Sequence, residues 1–326
     1  MSQPTQPASE SEMHLVFAAD EGYAMPLAVS LFSALRHLKN PSLVTVHLLD
    51  GGFAPATRQR LGKICEARRV RLVWWDASQT LPGNYTGVRH ISKATYLRLV
   101  LPKVLPLSVR RVVFLDSDIL VMRDVAELAE VDLQGRSIGA IREYAVATVS
   151  HPFSGVKDWR ELGLPADLPS FNAGIMVMDL ERWRSERVME RVMDYIRDHA
   201  ADLGNGDQDA LNAVLAHDWQ PLGLEWNIQY ALYYLETLGQ WPWYQELLPR
   251  RRELTDNAAI FHFTGTPKPW NHWCGHPATF AWSMDLLRSG WFSPLKALGW
   301  ALNYWARRGV FFLTVWGGWR KLRERV

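Results

Sequence analysis

Three short apolar runs, each followed at once by an aspartate and separated by segments of helical periodicity, constrain this chain most. His14 to Ala19 (HLVFAA) meets Asp20, Val44 to Leu49 (VTVHLL) meets Asp50, and Val112 to Leu115 (VVFL) meets Asp116. Runs this short suit buried strands rather than helices. After the first, Leu27, Leu31, Ala34, Leu35 and Leu38 recur at helical spacing until Asn40-Pro41 stops them. Pro55 to Arg68 reads as a second helix and Val70 to Trp75 (VRLVWW) as the next strand. Strands alternating with helices predict an α/β fold, a mostly parallel central sheet flanked by helices. In open sheets of this kind ligands sit beyond the carboxyl ends of the strands, where the three aspartates fall.

The pattern continues less regularly. Ser92 to Leu101 predicts a helix with Ser92 as N-cap. Ile138 to Ile141 and Ile175 to Met178 predict strands, the latter opened by Asn172-Ala173-Gly174. Leu180 to His199 predicts one long amphipathic helix, Asp207 to Ala216 another, and Ala259 to Phe263 a last strand before a loop rich in glycine and proline.

The 36 lysines and arginines nearly balance 34 acids, so nucleic acid is not expected as the main partner. The balance hides an asymmetry. From Arg288 to Val326 eight basic residues face one acid, a net +7, which leaves −5 on the rest. Trp291, Trp300, Trp305, Trp316 and Trp319 lie among those charges. A basic, tryptophan-rich amphipathic segment reads as lying in the interface of an anionic membrane, and no apolar run reaches the ~18–20 residues that span one. The expected organisation is a disordered leader (1–12), a catalytic domain (13–275) and a membrane-association segment (276–326). Removing residues 285–326 is expected to leave an active, soluble protein. The leader lacks the apolar core of a signal peptide, and the chain has only two cysteines, Cys65 and Cys274. Both features predict a cytoplasmic enzyme, peripheral on the inner membrane.

Four groups carry candidate chemistry. Asp116-Ser117-Asp118 puts two carboxylates at i and i+2 beyond an apolar strand, where both reach one hard divalent cation. His262 opens HFTGTPKPW, in which Gly265 permits close backbone approach and Lys268 offers a compact charge to a diphosphate. Imidazole with carboxylates suits Mn²⁺, with Mg²⁺ as the alternative. Asp207-Gln208 at a helix start, with Asn172, supplies donors and acceptors for sugar hydroxyls; Asp207 also reads as a helix cap. Arg98, in KATYLRLVL, adds a second cation if it faces the same place.

Five segments in order resemble the retaining glycosyltransferases of family 8: FAADEGY (from Phe17), SKATYLRL (from Ser92), FLDSDILV (from Phe114), FNAGIMVMDL (from Phe171) with DQDALN (from Asp207), and HFTGTPKPW (from His262). The resemblance implies a GT-A fold, a UDP-sugar donor carrying galactose or glucose, and Mn²⁺. It implies Asp116, Asp118 and His262 as metal ligands, with Ser117 between them. Ala18, Asp20 and Tyr23 match the uridine segment, with Tyr23 stacking on the base. Arg98, Asn172 and Ala173 match donor-sugar contacts. Asp207 and Gln208 match the residues beneath the hexose, and Gly265 and Lys268 the diphosphate loop. Asp207, Gln208 and Lys268 are the candidate catalytic residues. The bacterial members imply a saccharide or glycolipid acceptor such as lipopolysaccharide. A nucleotidyltransferase is disfavoured because no glycine-rich triphosphate loop occurs, and a degenerate non-catalytic homologue because Asp116, Asp118, His262 and Lys268 are all present.

Overall fold

A computed structural model describes residues 12–76, 93–152, 155–234 and 242–323, the last helix in its side chains as far as Gly309. The predicted leader up to residue 11, and Ser92, lie outside the described residues. The strands are β1 (Met13–Ala19), β2 (Val44–Asp50), β3 (Arg71–Asp76), β4 (Arg111–Leu115), β5 (Ile119–Val121), β6 (Ile138–Arg142), β7 (Phe171–Asp179), β8 (Trp219–Pro221), β9 (Ile228–Gln229) and β10 (Ile260–His262). The helices are α1 (Ala24–His37), α2 (Pro55–Ala67), α3 (Leu101–Val104), α4 (Ala126–Ala129), α5 (Leu180–Ser185), α6 (Val188–Asp198), α7 (Asp207–Val214), α8 (Pro242–Asp256), α9 (Thr279–Arg288) and α10 (Pro294–Arg323).

Seven strands form one sheet in the order β3-β2-β1-β4-β7-β6-β8. The pairs β1–β2, β2–β3, β1–β4 and β6–β8 are parallel; β7 runs antiparallel to both its neighbours. The fold is thus α/β with a mostly parallel sheet, as the alternating pattern predicts. Leu15, Phe17, Val46 and Leu48 on one face join Leu27, Leu31 and Leu35 of α1 in the main core. Val16, Leu49, Phe114, Met176 and Met178 on the other join Trp183, Val192 and Leu211. Both faces are covered, which is why these strands are almost wholly apolar.

A second sheet was not predicted. Its three strands, in the order β5-β10-β9, hold only two or three residues each. The chain leaves β4 in the large sheet and enters β5 in the small one through Asp116-Ser117-Asp118. Serines of α1 pin that crossing: Ser30 Oγ lies 2.7 Å from the Ser117 carbonyl and 2.9 Å from that of Ile119, and Ser33 Oγ accepts from the Val121 amide at 3.0 Å.

Three expectations need correction. The helix after residue 92 is a 3₁₀ helix over Lys93–Val100, followed by the short α3. The single helix predicted over 180–199 is two, α5 and α6, broken where Arg187 takes a left-handed φ of 52°. Packing also does not end at residue 275. Trp282 and Leu286 of α9, both 0% exposed, and Trp291 belong to the main core, and Asp285 pairs with Arg36 of α1 at 3.1 Å. Burying such a side chain is worth roughly 1.5–3 kcal/mol, so a cut at 285 would sever part of the body.

Candidate functional site

Asp116 and Asp118 stand at the end of β4 and the start of β5, and β10 runs antiparallel to β5 with His262 opposite Ile119. Two short pairings therefore bring together residues nearly 150 positions apart. His262 Nε2 lies 3.3 Å from Asp118 Oδ1 and 3.7 Å from Asp116 Oδ2. One ligand atom from each of the three falls within 4.8 Å of the others. Two carboxylate oxygens and an imidazole nitrogen so converged fit a divalent cation of the Mn²⁺ type. Close packing enforces this: a β-carbon on Gly174 of β7 would stand 2.3 Å from His262 Cε1 and 2.7 Å from Asp116 Oδ2. No side chain is tolerated there without moving a ligand.

The cations around the trio are placed by the same elements. Arg98, 4% exposed, reaches Asp116 Oδ1 and Asp207 Oδ2 at 3.1 and 3.0 Å, and donates to the Ala173 carbonyl. Lys268 Nζ donates to Asp118 Oδ2 at 2.5 Å and to the Phe263 carbonyl at 2.7 Å. Burial pushes the Asp116 carboxyl up, a rise only partly offset by Arg98. Burial acts on Asp118 too, but Lys268 and His262 outweigh it and hold that carboxyl well below the usual range. Burial carries Asp207 up to about 6 against the pull of Arg98.

Deeper lies a run of amides around Glu143, 6% exposed. Glu143 Oε2 accepts from Asn172 Nδ2 at 2.7 Å and Gln208 Nε2 at 3.1 Å, and Oε1 accepts from the backbone amides of Tyr144 and Ala145 at 2.9 and 3.1 Å. Gln208 Oε1 takes the Ala173 amide at 3.0 Å. Asn227, 0% exposed, joins Asn172 to His262: Nδ2 donates to Asn172 Oδ1 at 2.9 Å, and Oδ1 is 3.1 Å from His262 Nδ1.

The outer rim is built from β1 and the loop after β10. Asp20 caps the turn Glu21–Tyr23 by accepting from the Tyr23 amide at 3.2 Å, and Ser117 Oγ donates to the Ala18 carbonyl at 2.9 Å. Tyr23, 36% exposed, meets Trp270 edge-on at 5.8 Å, and Trp270 rests on Trp282 of α9 at 5.6 Å. Helix α10 returns to the same loop: Tyr304 donates to the Pro269 carbonyl and Arg308 Nη1 to that of Cys274 at 2.5 Å. The loop carrying Lys268 is thus held from behind by the C-terminal helices.

The residues that the family resemblance marks line one cleft of about 550 Å³: Ala18, Asp20, Tyr23, Arg98, Asp116, Ser117, Asp118, Asn172, Ala173, Asp207, Gln208, His262, Gly265 and Lys268. Asp50 does not; it accepts from the amides of Gly52 and Phe53, both at 2.7 Å, and pairs with Arg58. Glu143 and Tyr234 also line the cleft and were missed. Glu143 stands just past β6, so the strand-end reasoning that selected Asp20 and Asp116 applies to it equally.

The description "Glycosyl transferase family 8" matches residues 14–274. General stress protein A of Bacillus subtilis is 31% identical over 271 residues, 81% of this chain and 90% of that one. Lipopolysaccharide 1,2-glucosyltransferase of Escherichia coli is 23% identical over 292 residues, 86% of this chain and 79% of that one. Among solved structures, the galactosyltransferase LgtC with donor and acceptor sugar analogues superposes with a TM-score of 0.68 at 24% identity, covering 88% of this chain and 100% of that one. The superposition shows that the chain shares the GT-A fold of that neighbour. A match across most of its length makes this chain a member of glycosyltransferase family 8.

Proposed function

We propose that this glycosyltransferase moves galactose or glucose from a UDP-sugar to a saccharide acceptor, with retention at the anomeric carbon and with Mn²⁺ or Mg²⁺. The observation that carries the reading is the convergence of Asp116, Asp118 and His262 within 4.8 Å, in a cleft that also holds Lys268, Arg98 and Tyr23. Those three residues would hold the cation, which when bound neutralises charge on the diphosphate leaving group. Lys268 occupies one oxygen of Asp118 until phosphate oxygens draw it away, then stabilises the charge that grows as the glycosidic bond breaks. Tyr23, steadied by Trp270, offers its ring to the uracil. Arg98 and Asp207 form a rigid ion pair beneath the hexose, and Gln208 and Asn172 present amides to its hydroxyls.

Retention by double displacement needs a free nucleophile beneath the sugar. Gln208 is an amide, and its neighbour Glu143 accepts hydrogen bonds at both carboxylate oxygens. Both facts favour same-face attack guided by the leaving phosphate.

The relatives and the basic C-terminal segment together support a lipopolysaccharide or other cell-surface glycan as acceptor, reached at the cytoplasmic face of the inner membrane. In α10, Trp300 stacks on Tyr304 at 4.7 Å against the body, while Leu295, Leu298 and Leu302 are 85%, 59% and 64% exposed. Leucines at spacings of three and four present an apolar stripe suited to lie in a headgroup layer. No described helix is long and apolar enough to cross a membrane.

Release of UDP is the direct test: UDP-galactose and UDP-glucose are supplied in turn, with and without Mn²⁺. Turnover of one donor that requires the cation is expected. Absence of UDP release from every UDP-hexose, with the protein folded, would sink the proposal.

A further inference from the structure

We infer that Tyr234 orients the attacking hydroxyl of the saccharide acceptor, and so sets how well a sugar competes with water for the bound hexose. This rests on the reading above of same-face attack on a UDP-hexose. Ala145, Val146, Tyr234, Thr264 and Thr266 line the cleft and belong to no part of the donor site described above. Among them Tyr234 stands at the joint between the hexose floor and the diphosphate loop. A β-carbon placed on Gly265 would lie 3.9 Å from Tyr234 Oη. The same hydroxyl feels an acid of the floor and the cation of the loop: burial and then the Glu143 carboxylate push its pKa up, and Lys268 pulls it down. The net rise keeps the phenol protonated at neutral pH, as a hydrogen-bond donor. Its position is fixed from behind. The Tyr234 amide donates to the Ala231 carbonyl at 3.1 Å, its ring meets Tyr230 edge-on at 5.5 Å, and Tyr230 rests on the buried ring of His276 at 5.1 Å.

Same-face attack dictates where the acceptor enters. Its hydroxyl oxygen bonds the anomeric carbon on the side from which the phosphate oxygen departs. The electron pair of the broken bond leaves with UDP, and the hydroxyl proton passes to an oxygen of that leaving phosphate. The attacking oxygen must therefore reach both the hexose over Gln208 and the phosphate at Gly265 and Lys268, and Tyr234 Oη stands beside that space. One lone pair of the attacking oxygen forms the new bond. The other accepts from Tyr234 Oη, which neither gains nor loses a proton. Water is small enough to reach the anomeric carbon in many orientations. A saccharide hydroxyl carries its ring with it and has few, so a fixed donor matters to the sugar and hardly to water.

Tyr234→Phe keeps the ring against Tyr230 and removes only the donor. The full chain with Mn²⁺ is given UDP-galactose or UDP-glucose, first alone and then with methyl β-glucoside, methyl β-galactoside or delipidated lipopolysaccharide core. Three quantities are read: UDP release without a sugar acceptor, transfer to the sugar, and UDP affinity by calorimetry. The variant should keep wild-type hydrolysis and wild-type UDP affinity, while kcat/KM for the acceptor falls about 3- to 10-fold, the weight of one neutral hydrogen bond. The ratio of transfer to hydrolysis should fall by the same factor. A packing role would lower UDP affinity and both rates together and leave that ratio alone. Tyr234→Phe with a wild-type ratio therefore overturns the assignment, whether both rates stand or both fall. Other outcomes strike the reading beneath it instead. Wild-type protein that releases no UDP overturns the donor, hydrolysis with transfer to none of these sugars overturns the saccharide acceptor, and a product of inverted anomeric configuration by proton NMR overturns same-face attack.

Discussion

Buried polar groups are treated differently on the two sides of β10. Toward the cleft, Glu143, Asn172, Gln208 and Asn227 bond one another and the backbone, and Asn227 does so at 0% exposure. Toward the C-terminal helices, His276 sits in a cage of Tyr230, Tyr233, Phe261 and Phe263, and its Nε2 has no hydrogen-bonding partner among the described residues. Trp282 Nε1 is in the same position. An unpaired buried polar atom costs on the order of 1–3 kcal/mol. The fold bears that cost around His276 and Trp282, where aromatic packing supplies the stability, and the Glu143 network escapes it.

Acid should strike the C-terminal side first, and this is the largest effect expected. Burial holds the His276 ring down at about 3, against 6.5 in the unfolded chain. Between those values the unfolded chain binds a proton that the folded one refuses, so the stability is complete above pH 6.5 and drains as pH falls toward 3. Full loss is on the order of 5 kcal/mol. Denaturant melts of wild type and His276→Gln between pH 7 and 4 should show the flatter slope in the variant; identical slopes would erase the contrast drawn at β10.

On the cleft side the effect should appear in rate, not stability. Asp118→Ala should keep its fold and lose at least about 100-fold in turnover, roughly 3 kcal/mol of barrier. Near-wild-type turnover in a folded variant would remove this aspartate from the chemistry.

The smallest effect falls on the loop that joins the two sides. Tyr304→Phe keeps the ring stacked on Trp300 and deletes one hydrogen bond to the Pro269 carbonyl. The KM for the donor should rise a few-fold, worth about 1 kcal/mol. An unchanged KM would mean that the tail steadies nothing in the Lys268 loop. Removing residues 285–326, the truncation expected from sequence, would take Leu286 and Trp291 from the core and the Tyr304 brace from the loop.

Legibility in the sequence followed length and regularity. β1, β2 and β4 announce themselves because each is a continuous apolar run ending in an acid, and the two strand-end acids Asp20 and Asp116 came with them. β10 was legible as the run Ala259 to Phe263, but β5 and β9 are too short to show any alternation, so the sheet that joins β10 to them was invisible. Asn227 follows a single 3₁₀ turn and has no pattern around it. Glu143 follows Arg142, and a charged pair after a short run reads as an exposed turn. The break at Arg187 carries neither glycine nor proline. The tail tryptophans read from the sequence as interface, but Trp291 is buried in the core and Trp300 packs against Tyr304.

The passage of the chain from one sheet to the other between Asp116 and Asp118 gives the cleft a mechanical character. Its three candidate ligands are not mounted on a single plate but shared between two, with α1 as the batten across the joint. A cation gripped by all three would act as a rivet through that joint. Stripping it should slacken the fit of plate against plate while leaving each intact, so amide exchange at the joint would quicken long before either sheet melts.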